Sequence, residues 1–171
     1  MEEDNGLGNA KRWLDRRVRG DDKLGKTFMV DRGSEPSWKQ STFQSYEASV
    51  ERFLEHLLIL FHMTGGQPAR ESEVLSMRWR NTDTIRNTFI DYGLVVGIPH
   101  YNKTRSVSGK DRPIPRFLPS CVSKLVVQYL TIVIPFRYAL FQRTNSDTQL
   151  SLFLWARSDE PNKPWKSEKM S

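Results

Sequence analysis

At 171 residues and 19.9 kDa the chain has enough sequence for one hydrophobic core and too little for a second full domain. Its hydrophobic fraction of 37% and mean hydropathy of -0.59 sit toward the polar end of soluble proteins, while five Trp and nine Phe exclude a wholly disordered chain. Lys and Arg outnumber Asp and Glu by 26 to 20, and the resulting +6 favours a polyanionic partner through counterion release, although charge alone does not separate such a partner from a merely solubilising surface.

The lone Cys121 excludes an intrachain disulfide, and its place in an apolar helical pattern predicts a buried, inert thiol in a reducing, intracellular compartment. The start, Met-Glu-Glu-Asp-Asn, is acidic where a secretion signal is basic and then apolar. The longest apolar runs are broken by His62, Gln128 and Thr131, so no membrane span is expected. Three scattered histidines with one cysteine give no metal site, and no small-molecule cofactor is expected.

Residues 1–40 carry glycines at 6, 8, 20, 25 and 33, mixed charges and Pro36, and read as a loosely packed basic extension with one short helix over 10–18. Its block Lys11, Arg12, Arg16, Arg17 and Arg19 suits either a phosphate contact or a solvated helix face. The main domain is expected over 41–171. At Ser41, Ser-Thr-Phe-Gln has capping-box spacing and opens a helix to about residue 63, with Tyr46, Val50, Phe53, Leu54, Leu57, Leu58 and Phe61 on one stripe.

Gly65 and Gly66 stop that helix, and Pro68 begins a second over about 69–80, with Val74, Leu75 and Trp79 available for packing. Strands follow over 86–90 and 94–101, joined by the turn Asp91-Tyr92-Gly93, and a third over 112–117 returns after the Ser-Val-Ser-Gly loop. From Pro119 a helix carries Val122, Leu125, Val126, Tyr129, Leu130 and Val133 on one stripe until Pro135 interrupts it, and a further turn or two covers 136–143. A short apolar segment over 150–155 and a helical first turn at Ser167 complete the reading. These elements predict a mainly α fold with a small antiparallel three-stranded sheet, an α+β class.

Chemistry concentrates in two stretches. Gly65-Gly66-Gln67-Pro68-Ala69-Arg70 places an arginine in the first turn of a helix behind a tight glycine turn, with Glu73 on the same face to orient that side chain or the loop before it. Free amides and the helix dipole favour a phosphate there. Taken alone, an Arg-x-x-Glu pair is a surface ion pair worth less than ~1 kcal/mol. Between His100 and Arg116, the cations Lys103, Arg105, Lys110, Arg112 and Arg116 face the single acid Asp111, a density suited to tracking a phosphate backbone and compatible also with a solvated hairpin tip.

The order of the parts carries more than any one of them: helix, glycine turn, Arg-x-x-Glu helix, two strands, hairpin lysine, third strand ending in proline, apolar helix. It resembles the catalytic domain of tyrosine recombinases, the phage integrase family, with its Thr-Gly-x-Arg-x-x-Glu-Leu motif, hairpin lysine and Arg-x-Val-Pro-Leu strand. Thr64-Gly65, Arg70-x-x-Glu73-Val74-Leu75, Lys103 and Arg112-Pro113-Ile114-Pro115 match these in order. Three extra residues separate Thr64-Gly65 from Arg70, and the wording Thr-Gly-Gly-Gln-Pro-Ala-Arg is similar to a fungal branch, the Crypton-type recombinases and sequences beside RecQ-like telomere-linked helicases. The resemblance covers most of residues 41–171 and corresponds to the amino-terminal half of the catalytic domain.

The resemblance implies an incomplete DNA breaking-rejoining fold, a nuclear location, double-stranded DNA as partner, and a homo-oligomer or a helicase domain in the intact protein. It implies that Arg70 is the first catalytic arginine, binding nonbridging oxygens of the scissile phosphate and stabilising the transition state. It implies Lys103 as the lysine that protonates the departing 5′ oxygen, with Lys110 as the fallback, Glu73 as a supporting residue, and Arg105, Lys110, Arg112 and Arg116 as DNA contacts.

The family's His-x-x-Arg, later His or Trp, and nucleophilic tyrosine have no counterpart after Lys103. His56, His62 and His100 all precede it, and none is followed by arginine three places on. Tyr129 and Tyr138 sit in apolar helical patterns and read as packing residues. Strand cleavage by this chain alone is therefore not expected. As half of a catalytic domain, a truncated recombinase would leave a core face uncovered along Val126, Leu130, Val133 and Phe153. The competing readings are a non-catalytic DNA-binding or interaction module beside a RecQ-like helicase, and a small helical interaction domain whose basic surface is only solubilising.

Overall fold

The computed structural model describes residues 7–30, 37–67, 69–99, 114–144, 151–156 and 165. They are mainly helical, with one three-stranded antiparallel sheet, as the periodicities require. The chain divides into two compact units. The described residues up to Arg52 and from Gln128 to Thr144 form the first, and those from Phe53 to Val127 with 151–156 and Trp165 form the second.

The first unit opens with α1 (Leu7–Gly20) and α2 (Asp22–Phe28), where a loose extension was expected. Asp21 separates them and caps α2, its side chain accepting the amides of Lys23 and Leu24 at 2.9 and 3.0 Å. An antiparallel bridge between Met29 and Trp38 returns the chain, with the Lys39 amide donating to the Phe28 carbonyl at 2.8 Å. That anchor starts α3 (Gln40–Thr64) one residue before Ser41, so Ser41 lies inside the helix and is not its cap.

Val18, Met29, Phe43, Phe136 and Leu140 form the core of this unit. The ring of Phe136 takes edge contacts from Phe28, Trp38 and Tyr46 at centroid distances of 5.8, 6.4 and 5.3 Å. The glycines that made 1–40 read as loose are outweighed by Leu14, Val18, Leu24 and Phe28, which recur at helical spacing and find this core. Of the basic block, Arg19 pairs with Asp15 one turn earlier and stacks over Trp38, while Arg17 lies over Trp13.

The same unit holds a buried polar network. Arg137 donates to both carboxylate oxygens of Glu47, with Nε at 3.0 and 3.1 Å and Nη2 at 2.6 Å, and its Nη1 donates to the Tyr129 hydroxyl at 3.1 Å. Burial pushes the Tyr129 and Tyr46 phenols up, against the lowering charge of Arg137. Burial by itself lowers the Arg137 guanidinium, and Tyr129 and Glu47 more than reverse it.

Helix α5 (Ser120–Gln128) continues through a π-helical turn, Tyr129–Val133, into α6 (Ile134–Thr144). Pro135 was expected to interrupt this helix. The wider turn absorbs it instead, because the Ile134 amide bonds back to the Tyr129 carbonyl and loosens the ladder where proline removes a donor and crowds the preceding turn. The run Ser120–Gln142 is thus long and apolar enough to cross a membrane by length and composition, contrary to the expectation of broken runs. Core helices share that property, and Val122, Val126, Tyr129, Ile134, Phe136 and Leu140 are all buried within the protein.

In the second unit, α4 (Glu71–Leu75) is followed by β1 (Thr88–Asp91), β2 (Leu94–Gly97) and β3 (Arg116–Phe117), in sheet order β1-β2-β3. The hairpin closes through Tyr92 and Gly93, both at positive φ (45° and 77°), the two-residue turn whose twist suits antiparallel strands. Ser123 ties α5 to the sheet: its buried hydroxyl accepts the Val95 amide at 2.9 Å and donates to the Leu118 carbonyl at 3.1 Å.

The helix expected over 69–80 is only five residues long. Its would-be second half is extended, because Met77 and Trp79 pair with 152–154. The Leu154 amide donates to the Met77 carbonyl at 2.8 Å, and the Trp79 amide donates to the Leu152 carbonyl at 3.2 Å. Val126 and Phe153, expected on an uncovered face, are buried, whereas Leu130 and Val133 are half-buried. Cys121 is exposed and not buried as expected, since it lies about 100° around α5 from the Val122 row that faces the core.

Gly97 is pressed between two buried side chains of this core. A Cβ there overlaps the Met77 methyl and stands 2.9 Å from the Phe61 ring, and neither side chain has an exposed side to move toward. Gly97→Ala is expected to destabilise the protein by about 1–3 kcal/mol, seen as a lower denaturant midpoint with an unchanged slope. A wild-type midpoint would show that the Met77 and Phe61 packing is softer than described.

Candidate nucleic-acid interface

The glycine turn after α3 exists because two contacts demand it. The Gly65 amide closes the last helical turn on the Phe61 carbonyl at 3.0 Å, and a Cβ at Gly65 would stand 2.8 Å from that same carbonyl. The position also lies close to the third strand, 3.7 Å from the Arg116 Cβ. Gly66 follows at φ 88°, the left-handed residue that commonly ends a helix.

The loop then reaches Ala69, which is buried, and Arg70, which is exposed. Arg70 is the cap residue of α4 and does not lie in its first turn as expected. Its amide donates to Glu73 Oε2 at 3.1 Å. Glu73 thus fixes the Arg70 backbone, leaving the guanidinium to project from a held loop. The first turn of α4 also carries Glu71, so this end of a very short helix presents carboxylates in place of the open anion site expected from the sequence.

Arg116 departs further from expectation. As a DNA contact it should face solvent, yet its side chain is only 7% exposed, with Nη2 4.0 Å from Glu73 Oε2 and a buried Nε that has no hydrogen-bond partner among the described residues. The cause is strand alternation. Phe117 takes the outward position at 52% exposure, and Arg116, opposite Gly97 on β2, takes the inward one. Of the expected site residues, the structure therefore joins Arg70, Glu73 and Arg116 through one carboxylate. Lys103, Arg105, Lys110 and Arg112 lie outside the described residues.

Three further arginines of the second unit were passed over in the sequence. Arg78 lies over the Phe153 ring at 4.9 Å, the exposed Arg86 lies over Phe89 at 5.4 Å, and Arg80 is exposed. The cue was the density of Met77-Arg78-Trp79-Arg80, in which cations alternate with large apolar side chains.

The two tyrosines that the sequence set aside differ in their surroundings. Tyr129 is sealed beneath Arg137, and the Tyr138 hydroxyl accepts from Gln142 Nε2 at 2.7 Å. Among the described residues no group of three or more His, Cys, Asp or Glu side chains is arranged to hold a metal. No family model and no solved structure matches the chain.

Proposed function

We propose that this chain is the amino-terminal part of a tyrosine-recombinase-like catalytic domain, a DNA-binding portion that performs no strand cleavage by itself. The observation that carries the reading is the exposed Arg70 at the end of the Gly65-Gly66 turn, its amide held by Glu73, followed in chain order by the antiparallel sheet and the apolar helix α5.

In this reading the Arg70 guanidinium offers paired N–H donors to the nonbridging oxygens of one phosphate, and holding its backbone in advance reduces the entropy lost on binding. Lys103 and its neighbours Arg105, Lys110 and Arg112 supply further phosphate contacts. In an intact enzyme Lys103 has the additional role of giving a proton to the departing 5′ oxygen. The sequence holds no His-x-x-Arg after Lys103, and in this reading Tyr129 and Tyr138 are packing residues, so the covalent step has no nucleophile in this chain.

The test is a fluorescence-anisotropy titration of a short duplex at several salt concentrations. Wild-type log affinity is expected to fall linearly with log salt, and Arg70→Ala to weaken binding and reduce the slope by about 0.9, the loss of one phosphate contact. An Arg70→Ala curve superimposed on the wild type at every salt concentration would remove Arg70 from the interface.

A further inference from the structure

We infer that Arg116 is a positioning residue that sets Arg70 through Glu73, and that it makes no phosphate contact of its own. The effect on DNA rests on the reading above, whereas the link between the three residues stands on the geometry alone.

At the two ends of the loop 65–70, Arg116 bears on both Gly65 and Arg70, on the first directly and on the second through Glu73. At one end Gly65 approaches the Arg116 stem, where an added Cβ would be 3.7 Å from the arginine Cβ. At the other end Glu73 Oε2 is shared between the Arg70 amide at 3.1 Å and Arg116 Nη2 at 4.0 Å. Helix α4 has five residues, too few to keep its own first turn rigid, so the direction of the Glu73 carboxylate needs an outside anchor.

That anchor comes from the sheet. Arg116 is paired with Gly97 in β3, and the next residue but one, Leu118, is bonded to Val95. The Arg116 and Glu73 side chains are 7% and 12% exposed, so their attraction is sheltered from salt, unlike that of a surface pair. A guanidinium confined in this way is poorly placed to reach a phosphate on a duplex. It can decide where the Arg70 backbone sits.

The experiment uses the full chain and two readouts. Amide hydrogen exchange by NMR is followed at Arg70, with Val95 and Leu118 as reporters of the sheet. Arg116→Gln is expected to speed exchange at Arg70 about tenfold while Val95 and Leu118 keep their rates, and Arg116→Lys, which keeps the charge, to restore most of the protection. Glu73→Gln leaves an acceptor for the Arg70 amide but removes the ion pair. The same selective loss is expected there, and this variant decides the matter if Arg116→Gln does not fold. Unchanged exchange at Arg70, or equal acceleration at all three amides, overturns the inference.

The second readout is the salt dependence of duplex binding. Arg116→Gln is expected to reduce the slope by about 0.9, as Arg70→Ala does, and the double variant to reduce it no further. A double variant that loses about 1.8 makes Arg116 a phosphate contact in its own right and overturns the proposal. A wild-type chain with no salt-dependent duplex binding defeats the DNA reading instead, and the exchange data then still decide whether Arg116 sets Arg70.

Discussion

Arg137→Ala is expected to lower the stability of the protein by about 3–5 kcal/mol, among the largest effects of any single substitution outside the apolar cores. The Arg137 and Glu47 side chains are 9% and 10% exposed, so removing the guanidinium strands a carboxylate away from water and takes a donor from the Tyr129 hydroxyl. Glu47→Ala is expected to be as harmful, because an arginine cannot shed its charge to escape burial. Replacing both with leucine should recover most of the loss, since a well-packed apolar pair often matches a buried ion pair in stability. Denaturant unfolding followed by circular dichroism measures all three. Single variants within about 0.5 kcal/mol of wild type would mean that water reaches the pair and that the network is a surface feature.

Trp155→Ala is expected to cost a similar amount, about 3–5 kcal/mol, for a different reason. Its indole is fully enclosed in the second unit, edge-on to Phe61 at 5.7 Å and tilted against Trp165 at 6.4 Å, so truncation leaves a void between two rings. The indole Nε1 has no hydrogen-bond partner among the described residues, so Trp155→Phe gives up no polar contact to them and should lose only part of the difference. Calorimetric or denaturant unfolding of the two variants separates ring packing from any hydrogen-bond contribution. An alanine variant that loses less than about 1 kcal/mol would show that the site collapses around the gap.

The elements legible in the sequence were those whose signal is local. The stripe from Val50 to Phe61 specified α3, the paired β-branched runs around Tyr92-Gly93 specified the hairpin, and Val122 and Val126 specified α5. What escaped was decided by distant partners. Helix α4 ends after Leu75 because Met77 and Trp79 bond to residues more than seventy positions away, which no window over 69–80 registers. Glu47 is one of several charges along α3 and carries no local sign of burial, because its partner Arg137 is ninety positions further on.

The candidate site divides in the same way. The glycine turn and the place of Glu73 beside Arg70 follow from short-range spacing, and both were legible. The inward turn of Arg116 was not. In Arg112-Pro113-Ile114-Pro115-Arg116-Phe117 alternation sets Pro113, Pro115 and Phe117 apart from Arg112, Ile114 and Arg116, which reads as Phe117 inward and Arg116 outward, and the structure has the reverse, with Arg116 paired to Gly97. Cys121 failed for a related reason, since one step along a helix separates the covered row from the open one.

The bonds joining Met77 and Trp79 to Leu152 and Leu154 also constrain the order in which the molecule is made. Trp155 closes one core, and Phe136 with Leu140 closes the other, so a nascent chain emerging from the ribosome holds the first unit's interior open until Leu140 is synthesised and the second unit's until Trp155 follows. Such long-range closure delays folding relative to a bundle with local contacts, and the interval in which Leu54, Leu57 and Phe61 lie bare is when a chaperone would meet this protein.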